Sequence, residues 1–469
     1  MGKPRRRQVG IALIGSEVIS EGVEEVLDNL VHRAGATAVS IGRMLVRPAP
    51  EGVGRFEPPT DGGASVRVLD RPLFGHRTLW VKGAPTWHPR SENFAGGPYH
   101  PPRGTEVTDT DGPRVVEFLT RAASAGLGCS VQLSASTPPG LRDDDRPRLP
   151  DGALPAGMVR TGSLASPAVR EWNAAVVRDV LAALPMLTEL RIDYAEYPCY
   201  TLDEVFTDFS DHVRDFCDRS PVAPDFDRVV ESARGLHRHL TGDLTDAGLQ
   251  ASIDHGTSAL ADAAGVDPDG LLGWLQLKRL LAADMVADWR RELDVVAGPA
   301  VGLSVNGFAA PFGRVTGFDP AGLAPSVSSV APKLYGMHWS MMVDGIARRL
   351  LTDNPGVDER LVVTLLARLA DLVDDDHLRG LVDFGYPEPD EPHPVTPAAL
   401  ERKIAAAVAA SGGVPVLPLV HGYGPLDDFR ARLEVVAASD AAGVWINRYG
   451  YLSDAKLDAI GEVFGDVDS

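Results

Sequence analysis

Short apolar runs and amphipathic stretches alternate along most of the chain. Val9–Ile14 is a six-residue apolar run of the length of a buried strand, and Glu21–Arg33 carries apolar residues at Val23, Val26, Leu27, Leu30 and Val31, the spacing of a helix stripe. Gly35 stops that helix, and Thr37–Ile41 is a second strand, completing a βαβ unit. The same alternation predicts further strands at Cys129–Leu133, Leu190–Tyr194, Val301–Val305, Val327–Leu334, Val414–Val420 and Gly443–Ile446. Between them the helical pattern covers Gly112–Ala125, a stretch from Ser166 with Pro167 in its first turn, Leu202–Cys217, Gly270–Leu293, Asp344–Leu351, Pro397–Ala410 and Asp427–Ala438, and Ser453-Asp454 opens a last helix.

Eight strands separated by helices, with no internal repeat, predict a (β/α)8 TIM barrel with long loop insertions, an open doubly wound α/β sheet being the alternative. One domain over residues 1–469 is expected, with insertions at about 43–110, 137–165, 218–269 and 352–396. The first insertion is rich in Pro and Gly, and Val66–Leu69 and Thr78–Val81 would pair in it as a hairpin. Its Trp87, His88, Phe94, Tyr99 and His100 favour an ordered lid over a linker.

Composition narrows the partners. The 469 residues are 44% hydrophobic and 23% charged, ordinary for a globular protein. A formal net charge of −20 argues against nucleic acid and against anionic membranes, both of which call for surplus Lys and Arg. No window approaches the apolar length of a membrane span, and the apolar run after Arg5-Arg6-Arg7 is cut too soon by Gly15, Ser16 and Glu17 for a secretion signal. The three cysteines, Cys129, Cys199 and Cys217, fit a reducing compartment, so a cytoplasmic protein is expected. Neither GxGxxG after the first strand nor GxxxxGK[ST] occurs, and the histidines lack close ligand spacing, so no cofactor and no metal is expected.

Candidate chemistry gathers where strands end, the catalytic face of such barrels. The fourth strand runs into Asp193 and Glu196 within LTELRIDYAEYP, and Pro198 discourages further regular structure. Carboxylates serve as nucleophile, base or acid, and glycosidases need a carboxyl pair; the bland alternative is that Asp193 caps a helix or pairs with Arg191. The sixth strand leads to Lys333, Tyr335, His338 and Trp339: the indole would stack on a sugar face, and the lysine and histidine would bind hydroxyls or developing charge. Against this stand a structural pairing for Lys333 and a core role for His338. Asn306, His421, Asn447, Arg448 and Tyr449, each at a strand end, outline with Tyr99 of the first insertion the polar rim of a pocket for a polyhydroxylated ligand.

These stretches also carry a resemblance. RIDYAEYP, WLQLKRLL, SVNGFAAPFGRVTGFD, VAPKLYGMHW and GVWINRYGYLSD, in that order from Gly112 onward, resemble the motif blocks of glycoside-hydrolase-like (β/α)8 barrels. The resemblance implies hydrolysis of a glycosidic bond in a small glycoside or oligosaccharide. In α-galactosidase-type barrels the strand-four aspartate is the nucleophile, which falls on Asp193. In chitinase-type barrels a glutamate three residues after an aspartate is the acid, which falls on Glu196. The chain departs from both patterns: it has Tyr335 and His338 in place of a strand-six carboxylate and keeps only Asp193-x-x-Glu196 of the chitinase DxxDxDxE run. A metal-dependent hydrolase on the same barrel and a carbohydrate-binding barrel without catalysis are the alternatives.

Overall fold

The computed structural model describes residues 7–50, 52–53, 55–57, 79–372, 380–388 and 390–465. Eight parallel strands close into a barrel: β1 (Gln8–Leu13), β2 (Ala38–Gly42), β3 (Gly128–Ser134), β4 (Glu189–Asp193), β5 (Gly302–Phe308), β6 (Ser329–Leu334), β7 (Leu419–His421) and β8 (Gly443–Asn447). Each strand pairs with its successor, and β8 pairs with β1 with Gln8 opposite Gly443, so the sheet has no free edge. That closure rules out the open doubly wound alternative. Among the described residues no helix is long and apolar enough to cross a membrane.

Alternation along each strand sorts the side chains. In β4, Leu190 and Ile192 are buried among the helix-facing apolar residues, while Glu189, Arg191 and Asp193 take the opposite face. The barrel interior is unusual in composition. Its apolar cluster is small, Ala38, Ala331, Leu417, Leu419 and Trp445, and the register around it brings in Ser40, Ser130 and Ser304. Trp445 fills the middle so closely that a methyl group on Gly10 would overlap its indole, which is why β1 carries glycine there.

Several elements differ from expectation. The helix expected at Glu21–Arg33 begins earlier and is split into Gly15–Glu21, Val23–Asp28 and a π-turn at Asn29–Arg33, the break falling at Gly22 with φ 104°. The seventh strand is shorter than Val414–Val420 because Pro415 and Pro418 remove ladder donors, leaving Val416 as an isolated bridge to Val330. The helix after β6 starts at Gly336, well before Asp344. Leu202–Cys217 is two pieces, Leu202–Val205 and Asp211–Arg219. Within the first insertion, Leu79–Pro85 pairs antiparallel with Met44–Ala49 and Arg55–Glu57; the proposed partner Val66–Leu69 lies outside the described residues.

Candidate active site

At the C-terminal mouth, β4 ends on Asp193 and the chain turns sharply. Tyr194 sits at φ 52°, a left-handed conformation that side chains other than glycine rarely adopt, and its N–H donates to Asp193 Oδ1 at 2.9 Å. Donation from Ser136 Oγ to Tyr194 O and from Ala135 N to Asp193 O holds the turn to the end of β3. The turn leaves the Asp193 side chain 17% exposed and sends Glu196 beneath it, where its side chain is 1% exposed. The two carboxylates of one short motif therefore occupy different environments.

Lys333, on the penultimate position of β6, lies between them. Its Nζ is 2.6 Å from Asp193 Oδ1 and 3.6 Å from Glu196 Oε1, and it rests over the rings of Phe308 (4.7 Å) and Tyr194 (5.0 Å). Burial works against its charge, but the adjoining charges of Asp193 and Glu196 outweigh that and hold the ammonium above the ordinary lysine range. Glu196 is committed on both oxygens: Phe308 N donates to Oε1 at 2.8 Å and Thr316 Oγ1 to Oε2 at 2.5 Å. Burial raises its carboxyl to about 7, with Lys333 and the Thr316 hydroxyl pulling the other way. Tyr197 N donates to Thr316 O at 2.9 Å, stapling this segment to the loop after β5. Behind both loops Lys278, from the long helix Pro268–Ala297 that contains WLQLKRLL, donates to Val205 O and Val315 O at 2.6 and 2.7 Å.

The raised Glu196 carboxyl has a thermodynamic consequence. A carboxyl titrating near 4.5 when unfolded and near 7 when folded binds more protons in the folded state between those values, so its contribution to stability is full below about 4.5 and is lost as pH rises through about 7. Glu196→Gln keeps the shape and an acceptor for Phe308 N but removes the titration. Urea unfolding at pH 5 and pH 8 is expected to show wild-type stability falling over that interval by on the order of 3 kcal/mol more than in the variant. Equal pH dependence in the two proteins would count against the burial argument.

A rim of aromatic and histidine side chains continues from this centre. Tyr200 packs edge-on against Phe308 (5.4 Å) and His338 (6.0 Å), and Tyr335 against His338 (5.3 Å) and His421 (5.0 Å). His421, expected at the rim, is instead fully buried beneath it, accepting from Tyr423 N through Nδ1 and meeting the buried Tyr451 (4.9 Å); Arg448 lies over Tyr451 (5.1 Å), and the Arg448 Nε is 3.6 Å from the buried Glu17. Tyr386, from the insertion after β6, packs on His338 at 5.8 Å. Tyr335, His338 and Arg448 are half-buried, as is Asn447 at the end of β8.

The remaining expected residues stand elsewhere. Trp339 is fully buried, stacked on Phe312 with Lys403 over its face, and presents no surface to a sugar. The helix starting at Gly336 turns by about 100° per residue, so His338 and Trp339 take different sides. Tyr449 is buried behind β8, donating to Glu21 Oε2 and accepting from Asn29 Nδ2. Tyr99 donates to Asp145 Oδ2 at 2.5 Å in a network with Ser166 and Arg142 that braces the long loops after β2 and β3. Asn306 is fully buried inside the barrel, accepting from Arg191 Nη2 at 2.8 Å. Among the described residues no group of three or more His, Cys, Asp or Glu side chains is placed to hold a metal.

The chain is thus a closed (β/α)8 barrel whose C-terminal mouth presents a carboxylate–lysine pair within an aromatic rim. No protein-family model matches it, and no curated protein matches it. Among the solved structures similar to it are glycoside hydrolases. They include β-galactosidase from the psychrophilic Marinomonas ef1 (11% identity, 97% of this chain and 59% of that one, TM-score 0.49). Also similar are α-L-fucosidase isoenzyme 2 from Paenibacillus thiaminolyticus (11%, 99% and 49%, 0.43) and the Ostrinia furnacalis Group IV chitinase (9%, 98% and 100%, 0.41). The chain spans 59% and 49% of the length of the first two. The barrel assignment itself rests on the strand pairing.

Proposed function

We propose that this protein hydrolyses a glycosidic bond of a small glycoside or oligosaccharide, with Asp193 as the carboxylate that meets the anomeric carbon. The observation carrying this reading is the 2.6 Å Lys333–Asp193 pair at the mouth of the barrel. Lys333 holds the carboxylate in place, and Oδ1 is the oxygen it shares with Tyr194 N, so Oδ2 is available to attack or to stabilise an oxocarbenium-like centre. Tyr200, Tyr335 and His338 supply ring faces and polar edges of the kind that grip sugars.

Glu196 takes a different role from the leaving-group acid. With both oxygens bonded and its side chain buried, it acts as a positioning residue that fixes Lys333 and the loop carrying Thr316. The proton for the leaving group then comes from the rim, where the half-buried His338 places an imidazole beside Tyr200 and Tyr335.

A panel of aryl glycosides and oligosaccharides, followed by mass spectrometry, tests the reading: one of them is expected to be cleaved by the wild type and spared by Asp193→Asn. A second reading, carbohydrate binding without catalysis, is favoured by the engagement of both Glu196 oxygens, which leaves Asp193 as the carboxylate at the centre of the mouth. It predicts saccharide-dependent thermal stabilisation with no product from any substrate.

A further inference from the structure

Outside the barrel lies a cleft that the proposed hydrolysis does not use. It has a volume of about 250 Å³ and opens between the long helix Pro268–Ala297 and the helix Pro397–Ala409. Ala331 and Lys333 of β6 point into the barrel, so Pro332 between them faces outward and lines the cleft. Phe318 and Pro320, after β5, wall it on one side. Ala407 and Ala410 wall it on the other, and their small side chains leave the space open. At about 30 Å³ per water, that space takes roughly eight waters or a solute of about as many heavy atoms.

Three charged side chains line the same cleft: Arg279 from the long helix, Arg314 from the turn Gly313–Thr316, and Asp319. The two arginines are exposed and Asp319 is half-buried, so all three are open to a solute. Among the described residues none of them forms a side-chain hydrogen bond or an ion pair. Partners are plentiful in a chain with 65 acidic and 45 basic residues, and Arg170, Arg178 and Arg228 each pair with two carboxylates. Asp319 stands at the N-cap of Pro320–Leu323, where an aspartate ordinarily accepts from the helix, yet its side chain makes no cap bond. Two cations and one anion therefore border an apolar cleft with their hydrogen-bonding capacity unspent.

We infer that the cleft binds a small free α-amino acid with an unbranched or branched apolar side chain, such as methionine or leucine. Its carboxylate meets Arg279 and Arg314, its ammonium meets Asp319, and its side chain lies against Phe318, Pro320 and Pro332. Simpler ligands match fewer of these features. An inorganic anion would use the arginines but leave the apolar walls wet and Asp319 opposed to it. An organic cation would face two like charges against one opposite charge. A hydrocarbon would bury the walls and leave all three charges unmatched.

Thermal unfolding with L-leucine or L-methionine tests the site against three compounds that each lack one feature. These are 4-methylpentanoate without the ammonium, L-leucinamide without the carboxylate, and glycine without the side chain, all at equal concentration. The wild type is expected to gain about 2 °C or more in Tm once either amino acid exceeds its Kd about a hundredfold. The three comparison compounds should give less than half of that gain, and Arg314→Gln and Asp319→Asn should lose it. Crystals of the wild type soaked in L-selenomethionine should show an anomalous selenium peak between Phe318 and Pro332, a readout that stands even if a variant does not fold. A Tm gain no larger than that with glycine, or an empty cleft in the soaked crystals, would overturn the proposal. A gain as large with 4-methylpentanoate as with leucine would overturn the assignment to an amino acid.

Discussion

Asp193→Asn is expected to reduce turnover of any confirmed glycoside by roughly a thousandfold or more, with substrate binding changed much less. The substitution preserves the side chain's outline, but it removes the negative charge from the reacting position and the direct countercharge from Lys333, 2.6 Å away. A better leaving group is not expected to compensate, because in the proposed mechanism what is lost is the group that meets the anomeric carbon. Glu196→Gln should behave differently. Its oxygens face Phe308 N and Thr316 rather than the barrel mouth, so its effect reaches the proposed reaction only through the placement of Lys333, and a loss of on the order of tenfold is expected. Steady-state kinetics on an activated aryl glycoside and on an oligosaccharide separates the two. A Glu196→Gln loss as deep as that of Asp193→Asn, confined to poor leaving groups, would return the role of acid to Glu196 and remove it from His338.

The architecture was legible in the chain because the barrel's strands obey local rules. Apolar runs of strand length, bounded by Gly, Pro and helical periodicity, place all eight strands within a few residues. The chief exception is β7, where Pro415 and Pro418 interrupt the ladder without changing the hydrophobic pattern. The rule that chemistry sits at strand ends also singled out Asp193 and Lys333, which the fold brings together as an ion pair. What the pattern could not convey is depth. Asp193 and Glu196 are three residues apart and look equivalent in sequence, yet the left-handed Tyr194 puts one at the mouth and the other under it. Trp339 adjoins His338, but a helix start at Gly336 carries it into the core. Thr316 and Tyr200 had no signal at all. They matter through contacts with Glu196 and Phe308 across more than a hundred residues, and such contacts arise only once the barrel closes.

Lys333→Met tests the electrostatic core of the site through stability, independently of any substrate. Methionine approximates the lysine stem and suits the surfaces of Phe308 and Tyr194, so packing is largely retained while the ammonium is removed. Asp193 then loses its ion pair, and Glu196 loses the cation that opposes its desolvation, so the Glu196 carboxyl moves further up from about 7. At pH 8 the wild-type Glu196 is mostly ionised, and the variant must either bury an unpaired carboxylate or take up a proton. At pH 5 it is already protonated and feels the change little. Destabilisation is therefore expected to be about 3–5 kcal/mol at pH 8 and clearly smaller at pH 5, measured by urea unfolding. Adding Glu196→Gln to Lys333→Met should recover part of the loss at pH 8 and little at pH 5, because it deletes the carboxylate the lysine had compensated. If the double variant loses the sum of the two single effects at both pH values, Lys333 and Glu196 do not interact. The lysine would then serve Asp193 alone.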